Sequence, residues 1–299
     1  RAFIYREHAE SEVVEMPGEL SAREKEARFS MLEQLADYDD ELMEQLLEDI
    51  EPPRDKVFDD LSQELKTGEI CPVLLGSAEN GNGILRLLKA LRHEGPTVKE
   101  TAERLGVSKS TSCAQVLKTF HTEHGGKLSL VRVLAGEFAD GVNVHAGDRD
   151  DRISGIFTLM GQDPVKGGTA RAGATVALGR MESIRTADTL SAEKGPGTAI
   201  ESPSAPSAVL GLAISAIERK DEVKMTESIG KIIEEDPSLS LDHNQELGQL
   251  VLWGQGEMHL RVALERLKRK YNIAAQTRPR QVPYKETIKK PVEIRGRHK

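Results

Sequence analysis

Between Pro206 and residue 276 the hydrophobic periodicity switches between two and 3.6 in a set order, and few folds accept that order. Residues 208–217 read as a strand, 222–235 as a helix, 238–242 and 249–253 as strands, 257–270 as a helix and 272–276 as a strand. The order βαββαβ predicts a ferredoxin-like split βαβ unit, with two helices backing a four-stranded antiparallel sheet.

Upstream the texture differs. From about residue 115 to 194, short alternating strands such as residues 128–134 are separated by glycine and aspartate turns, a pattern that suggests a small β-barrel. Residues 94–114 hold little core and contain Gly95-Pro96, and Pro203-Ser204-Ala205-Pro206 follows the strands, so both are expected boundaries. Before them, residues 21–36 read as a helix capped by Ser21 with Glu24 closing a capping box. Leu42, Met43, Leu46, Leu47 and Ile50 line a second helix, and Val57, Phe58, Leu61 and Leu65 a third that ends at Gly68. Residues 70–75 form an apolar run of the buried-strand type, leading through a glycine-rich loop to an amphipathic helix at 83–93. The chain is thus expected to combine an α/β region, an all-β barrel and an α+β unit. With 299 residues, two or three domains are expected.

Charge is segregated along the chain. Residues 1–97 carry 11 basic and 23 acidic side chains, whereas residues 261–299 hold 13 basic side chains against Glu265, Glu286 and Glu293. The basic end suits a polyanion such as RNA, and the acidic end suits a basic protein, although solvated faces would give the same pattern. Charged residues make up 30% of the chain, and no run of eighteen apolar residues offers a membrane span. The opening residues RAFIYREHAE lack the layout of a signal peptide and read as if the sequence starts in mid-protein. Cys71 and Cys113 lie far apart without a CxxC pair, which favours reduced thiols.

Several ordered motifs carry a resemblance. Val73-Leu74-Leu75-Gly76-Ser77-Ala78 is a strand delivering a Ser-Ala turn, followed by Asn80-Gly81-Asn82-Gly83. Then come Gly126-Lys127-Leu128, Arg132-Val133, Gly136, Gly141, Arg152-Ile153, Ala172-Gly173 and Thr186-Ala187-Asp188-Thr189-Leu190. Glu234-Glu235-Asp236-Pro237 precedes Gly254-Gln255-Gly256-Glu257-Met258-His259-Leu260, and Gln281-Val282-Pro283-Tyr284 follows. Together these resemble elongation factor G, a ribosomal translocase, over nearly the whole chain. The family usually has glycine where this chain has Ala187.

The resemblance implies the carboxyl side of a GTPase domain with an acidic inserted subdomain at 1–96, a link at 97–114 and a β-barrel second domain at 115–202. A ferredoxin-like third domain at 203–279 and the start of a fourth at 280–299 complete it. Ser77 and Ala78 would be the remnant of a guanine-binding turn, and Gly254, Gly256, Glu257 and His259 would serve interdomain coupling. On the residues alone, Gly254 and Gly256 allow a sharp turn from strand to helix, and Glu257 favours the helix dipole. The implied partners are ribosomal RNA, small-subunit proteins and the large-subunit stalk protein, with neither DNA nor a membrane, for a cytoplasmic monomer. GTP or GDP with magnesium is implied for a longer parent protein. This stretch has no GxxxxGK[ST], DxxG or NKxD element, so no nucleotide and no catalytic residue are expected in it. Translocation, recycling and specialised paralogue roles all remain open.

Two other patterns compete. Residues 97–120, through Ala102, Gly106 and Ser108, resemble a helix-turn-helix and so a DNA-binding regulator. His121 and His124 have HxxH spacing, and His145 precedes Asp148, Asp150 and Asp151, a pattern that a metal site or a hydrogen-bonded turn would equally explain.

Overall fold

The computed structural model describes residues 2–4, 6, 12–122, 126–161, 163–194 and 199–296, in two compact units divided between Thr97 and Val98. No helix among the described residues is long and apolar enough to cross a membrane.

The first unit opens with an antiparallel pair, β1 (Ala2–Ile4) and β2 (Glu12–Val14). Helix α1 (Gly18–Ala36) starts behind Pro17, one turn before the expected cap, so Ser21 lies inside the helix. Proline already holds a compatible backbone angle there, and its carbonyl accepts the Leu20 and Ser21 amides. Helix α2 (Asp40–Leu47) is capped by Asp39, which accepts from the Leu42 amide at 3.0 Å. Helix α3 (Arg54–Thr67) ends at left-handed Gly68, as the sequence requires. Leu32, Leu35, Ala36 and Leu42 form the core of these helices. Beside it, Lys56 bridges Asp39 at 2.7 Å and Asp60 at 3.4 Å, and burial raises the carboxyl pKa of both Asp60 and Glu64.

Residues 70–75 do not form the buried strand that their composition suggests. Val73 and Leu75 are 85% and 86% exposed, because no described strand lies alongside to pair with them. Helix α4 (Ile84–Glu94) likewise leaves Leu85, Leu88 and Leu91 exposed.

The second unit begins with α5 (Val98–Arg104), which is no core-poor link. Ala102 and Val107 are buried against Cys113, Leu134, Ala135 and Ile200. Left-handed Gly106 turns the chain, and no second helix follows before the first strand of the barrel region. The helix-turn-helix expectation therefore fails.

Ten strands follow: β3 (Cys113–His121), β4 (Lys127–Ala135), β5 (Glu137–Ala139), β6 (Asn143–Ala146), β7 (Arg149–Arg152), β8 (Ile156–Met160), β9 (Asp163–Gly167), β10 (Thr169–Arg171), β11 (Thr175–Gly179) and β12 (Thr189–Leu190). Six form one antiparallel sheet in the order β12-β3-β4-β11-β8-β9, and β5-β10 and β6-β7 are separate pairs. Strands β3, β4, β5, β6, β8, β10, β11 and β12 contribute to one core, in which Val116, Val131, Phe138, Val144, Ile156, Leu178 and Leu190 meet.

The last part runs β13 (Leu210–Ala216), α6 (Glu222–Glu235), β14 (Ser240–Asn244), β15 (Gln249–Gly254), α7 (Glu257–Tyr271) and β16 (Ala275–Pro279). Its sheet has the antiparallel order β14-β15-β13-β16, with Ile214, Ile229, Leu252, Leu260 and Leu267 packed between sheet and helices. This is the ferredoxin-like unit read from the periodicity. Its final strand starts three residues late, because left-handed Asn272 ends α7 and Ile273 is buried before pairing begins. On the other face of the sheet Trp253 lies across Gly211, and the Arg280 guanidinium sits 5.2 Å from its ring.

Candidate interdomain joint and helix corner

The strand-to-helix corner at 254–260 is held by its side chains more than by glycine geometry. A Cβ on Gly254 would stand 2.9 Å from Leu260 Cδ2 and 3.0 Å from His259 Nδ1, so packing demands glycine there. Gly256 has an extended backbone at φ 167° with open space around it, so neither glycine is needed for a left-handed turn. Glu257 lies in the first turn of α7, exposed, 3.6 Å from Arg261, where it complements the helix dipole without capping. Leu260 is fully buried and Met258 is exposed, on opposite faces.

His259 has both ring nitrogens engaged. The Gln255 amide donates to Nδ1 at 3.0 Å, so Nε2 carries the proton and donates to Asp236 Oδ2 at 3.1 Å. The ring is therefore a positioned neutral imidazole with no free lone pair for base chemistry. Burial alone would raise the Asp236 carboxyl, but hydrogen bonds from Ser238 and His259 outweigh it and hold the group below the ordinary carboxylate value. Asp236, Leu239, Met258, His259, Val262, Ala263 and Arg266 line a cavity of 230 Å³ beside this corner.

Directly before Asp236 in the chain lies a second cluster. Helix α6 ends in Glu234 and Glu235 with no basic residue of its own in the last turn. Carboxylates at the carboxyl end of a helix oppose its dipole by about 0.3–1 kcal/mol each. Cations from elsewhere reverse this. Lys127, at the start of β4 in the barrel region, has a side chain only 1% exposed and places Nζ 3.3 Å from Glu234 Oε2 and 3.0 Å from the Glu182 carbonyl. His121 Nε2 lies 2.7 Å from the same Glu234 oxygen, and the His121 amide donates to Glu235 Oε1 at 2.7 Å. Lys270 Nζ reaches that Glu235 oxygen at 2.5 Å. Thr186 Oγ1 sits 3.4 Å from the Glu234 carbonyl, carried by a turn in which Ala187 has φ 78°. The buried Tyr271 hydroxyl has no hydrogen-bond partner among the described residues, and burial and the Glu235 charge push its pKa up to about 12.

Lys127, Glu234, Glu235 and Asp236 stand in the sequence only as motif residues, and their contacts become visible in the fold. The signal was present. Lys127 is in phase with inward-facing Ser129, Val131 and Val133, where alternation calls for an apolar side chain. Two acids closing a helix are a second local violation of that kind.

The other singled-out residues lie elsewhere. Ser77 pairs with Asn82, donating its amide to the Asn82 carbonyl at 2.8 Å, and its hydroxyl accepts from the Asn80 amide; Ala78 is exposed. His145 contacts Asp150 at 2.6 Å, Asp150 also meets Lys194, and Asp151 accepts from Ser183. No cluster among the described residues has the donors for a metal ion. His124 lies outside the described residues, and His121 serves the joint.

Residues 205–279 match the family model described as Elongation Factor G, domain III. An elongation factor G-like protein of Synechocystis sp. is 42% identical across 100% of this chain and 44% of that protein. Elongation factor G of Fervidobacterium nodosum is 31% identical, with 98% of this chain and 44% of the relative aligned. A crystal structure of a Thermus thermophilus protein superposes with a TM-score of 0.82 at 29% identity, over 96% of this chain and 43% of that one. The chain spans less than half the length of the curated relatives it matches. Over the stretch that it spans, the chain belongs to the elongation factor G-like family.

Proposed function

We propose that this stretch serves a ribosome-associated translation factor that binds and hydrolyses GTP, and that it couples that event to movement of transfer and messenger RNA. In this reading residues 1–96 supply the carboxyl side of a GTPase domain with acidic inserted helices, and residues 115–202 the translation-factor barrel. Residues 203–279 are the third domain, and residues 280–299 lead into a fourth. The observation that carries the reading is the 254–260 corner, where hydrogen bonds from the Gln255 amide and to the half-buried Asp236 fix His259 at the lip of an open, partly apolar cavity. Such a rigid edge suits docking of another domain. The exposed Val73, Leu75, Leu85 and Leu88 of the first unit support the same idea, since apolar surface of that kind seeks a partner.

The 76–83 loop does not by itself fit a guanine nucleotide. Ser77 directs both its amide and its hydroxyl inward to Asn82 and Asn80, and the phosphate-binding elements are absent from this stretch. GTP, GDP and magnesium are therefore assigned to a longer protein, with Ser77 and Ala78 at the base-proximal edge, and no chemical step is placed here. The acidic first unit suits the large-subunit stalk protein. Arg261, Arg266, Lys268 and Arg269 on α7 suit ribosomal RNA, and the barrel suits the small subunit. The factor would act as a cytoplasmic monomer.

Single-turnover translocation by a full-length protein carrying Glu257→Ala and His259→Ala tests the reading. Slowed movement with ribosome binding retained is the expected result. An unchanged rate refutes the coupling role, and a defect confined to subunit splitting transfers it to recycling.

A further inference from the structure

The end of α6 is wound against its own electrostatics. Glu234 and Glu235 face the negative end of the helix dipole, and the partners that offset this come largely from the barrel region: the ring and amide of His121 and the buried ammonium of Lys127. The next residue, Asp236, closes the helix through its amide to the Ile232 carbonyl at 2.9 Å. Its carboxylate receives the His259 Nε2 proton, and the opposite nitrogen of that ring receives the Gln255 amide. Polar contacts from β3 and β4 of the barrel region thus reach Glu234 and Glu235, the backbone of the α6 end joins these to Asp236, and Asp236 in turn contacts the start of α7.

We propose that Glu234, Glu235 and Asp236 form a relay: docking of Lys127 and His121 of the barrel region keeps the last turn of α6 wound, and the wound turn keeps Asp236 placed to orient His259. The two states are a wound and a frayed helix end, the kind of low-stability local opening that can join two sites. Lys127 and His121 act through the acids and touch neither Asp236 nor His259, so they are positioning residues. The inference rests on the reading of the 254–260 corner as a coupling surface, and extends it by naming what the corner senses.

Hydrogen exchange and ring-nitrogen NMR on this chain, compared with Lys127→Met and Glu234→Gln, test the relay without ribosomes, so its failure is distinct from failure of the translation reading. In both variants the Asp236 and Gln255 amides are expected to exchange about 5- to 30-fold faster, a change of order 1–2 kcal/mol in local opening. The Val251 and Leu252 amides within β15 should hold their rates, and the His259 nitrogen shifts should leave those of a pure Nε2–H tautomer. Faster exchange at Asp236 with Gln255 and His259 unchanged overturns the relay and leaves only helix capping. No change at either amide overturns it entirely. Should the substitutions loosen β15 as well, Glu235→Gln, which leaves Lys127 paired, carries the same test on the same two amides.

Discussion

Replacing Glu234 should cost more than replacing Lys127, although the two form one ion pair. At 3.3 Å, with an effective dielectric constant of 20, the gross attraction is about 5 kcal/mol, most of which desolvation offsets. The partners are unequally placed. The Lys127 side chain is 1% exposed and that of Glu234 is 36% exposed. Glu234→Gln leaves a buried ammonium with neutral acceptors only, the Glu182 carbonyl and the new amide oxygen, for about 2–3 kcal/mol after allowing for solvent near Glu234. Lys127→Met fills the same space and leaves Glu234 with His121 and water, for about 1 kcal/mol or less. The double variant should recover about 1–2 kcal/mol of the summed loss, because neither charge is left alone. Urea unfolding followed by Trp253, the sole tryptophan, reports on the sheet that α6 backs. Equal costs for the two single variants, or strict additivity in the double, would refute the assignment of Lys127 as a buried, pair-dependent charge.

Other outcomes follow from local geometry. Gly254→Ala should destabilise by about 1–3 kcal/mol through overlap with Leu260 and His259, whereas Gly256→Ala, with open space around it, should cost less than about 1 kcal/mol; thermal melts of the pair decide between packing and turn geometry at the corner. Ala187→Gly should raise stability by about 0.5–1 kcal/mol, since φ 78° strains alanine; a lowered melting temperature would contradict this. Glu64 has its folded carboxyl raised by burial, then by the nearby Asp60 charge. Below the unfolded value of about 4.3 both states are protonated, and as pH rises past it the unfolded state ionises first, so this group lowers stability with rising pH. Glu64→Gln should therefore stabilise the first unit at pH 7 and have less effect at pH 4, as read by melts across that range; a melting temperature lowered at pH 7 would contradict this.

The ferredoxin-like unit was legible because each of its elements announces itself: alternation in 210–216 and 249–254, a 3.6 period in 222–235, and Leu260, Ala263 and Leu267 down one face of α7. Gly68 as a left-handed helix stop was legible for the same local reason. Residues 70–75 were misread because β pairing is non-local, and their composition says nothing about whether a neighbour is at hand. Residues 98–107 were misread in the opposite sense: Ala102 and Val107 are few, but both are spent wholly on a shared core with Leu134 and Ile200. At the corner, His259 stood out in the sequence, whereas its orientation depends on Asp236, 23 positions earlier, and only the fold brings them together.

The grip on α6 from the barrel side is concentrated at the last two residues of a helix fourteen residues long. A rod of that length measures about 20 Å, so a swing of about 10° about its gripped tip would carry the other end through an arc of about 3–4 Å. The amplitude at Glu222 would thus be many times the sub-ångström slack that a pair of hydrogen bonds permits, and the α6 attachment is shaped to turn a small angular change into a large linear one.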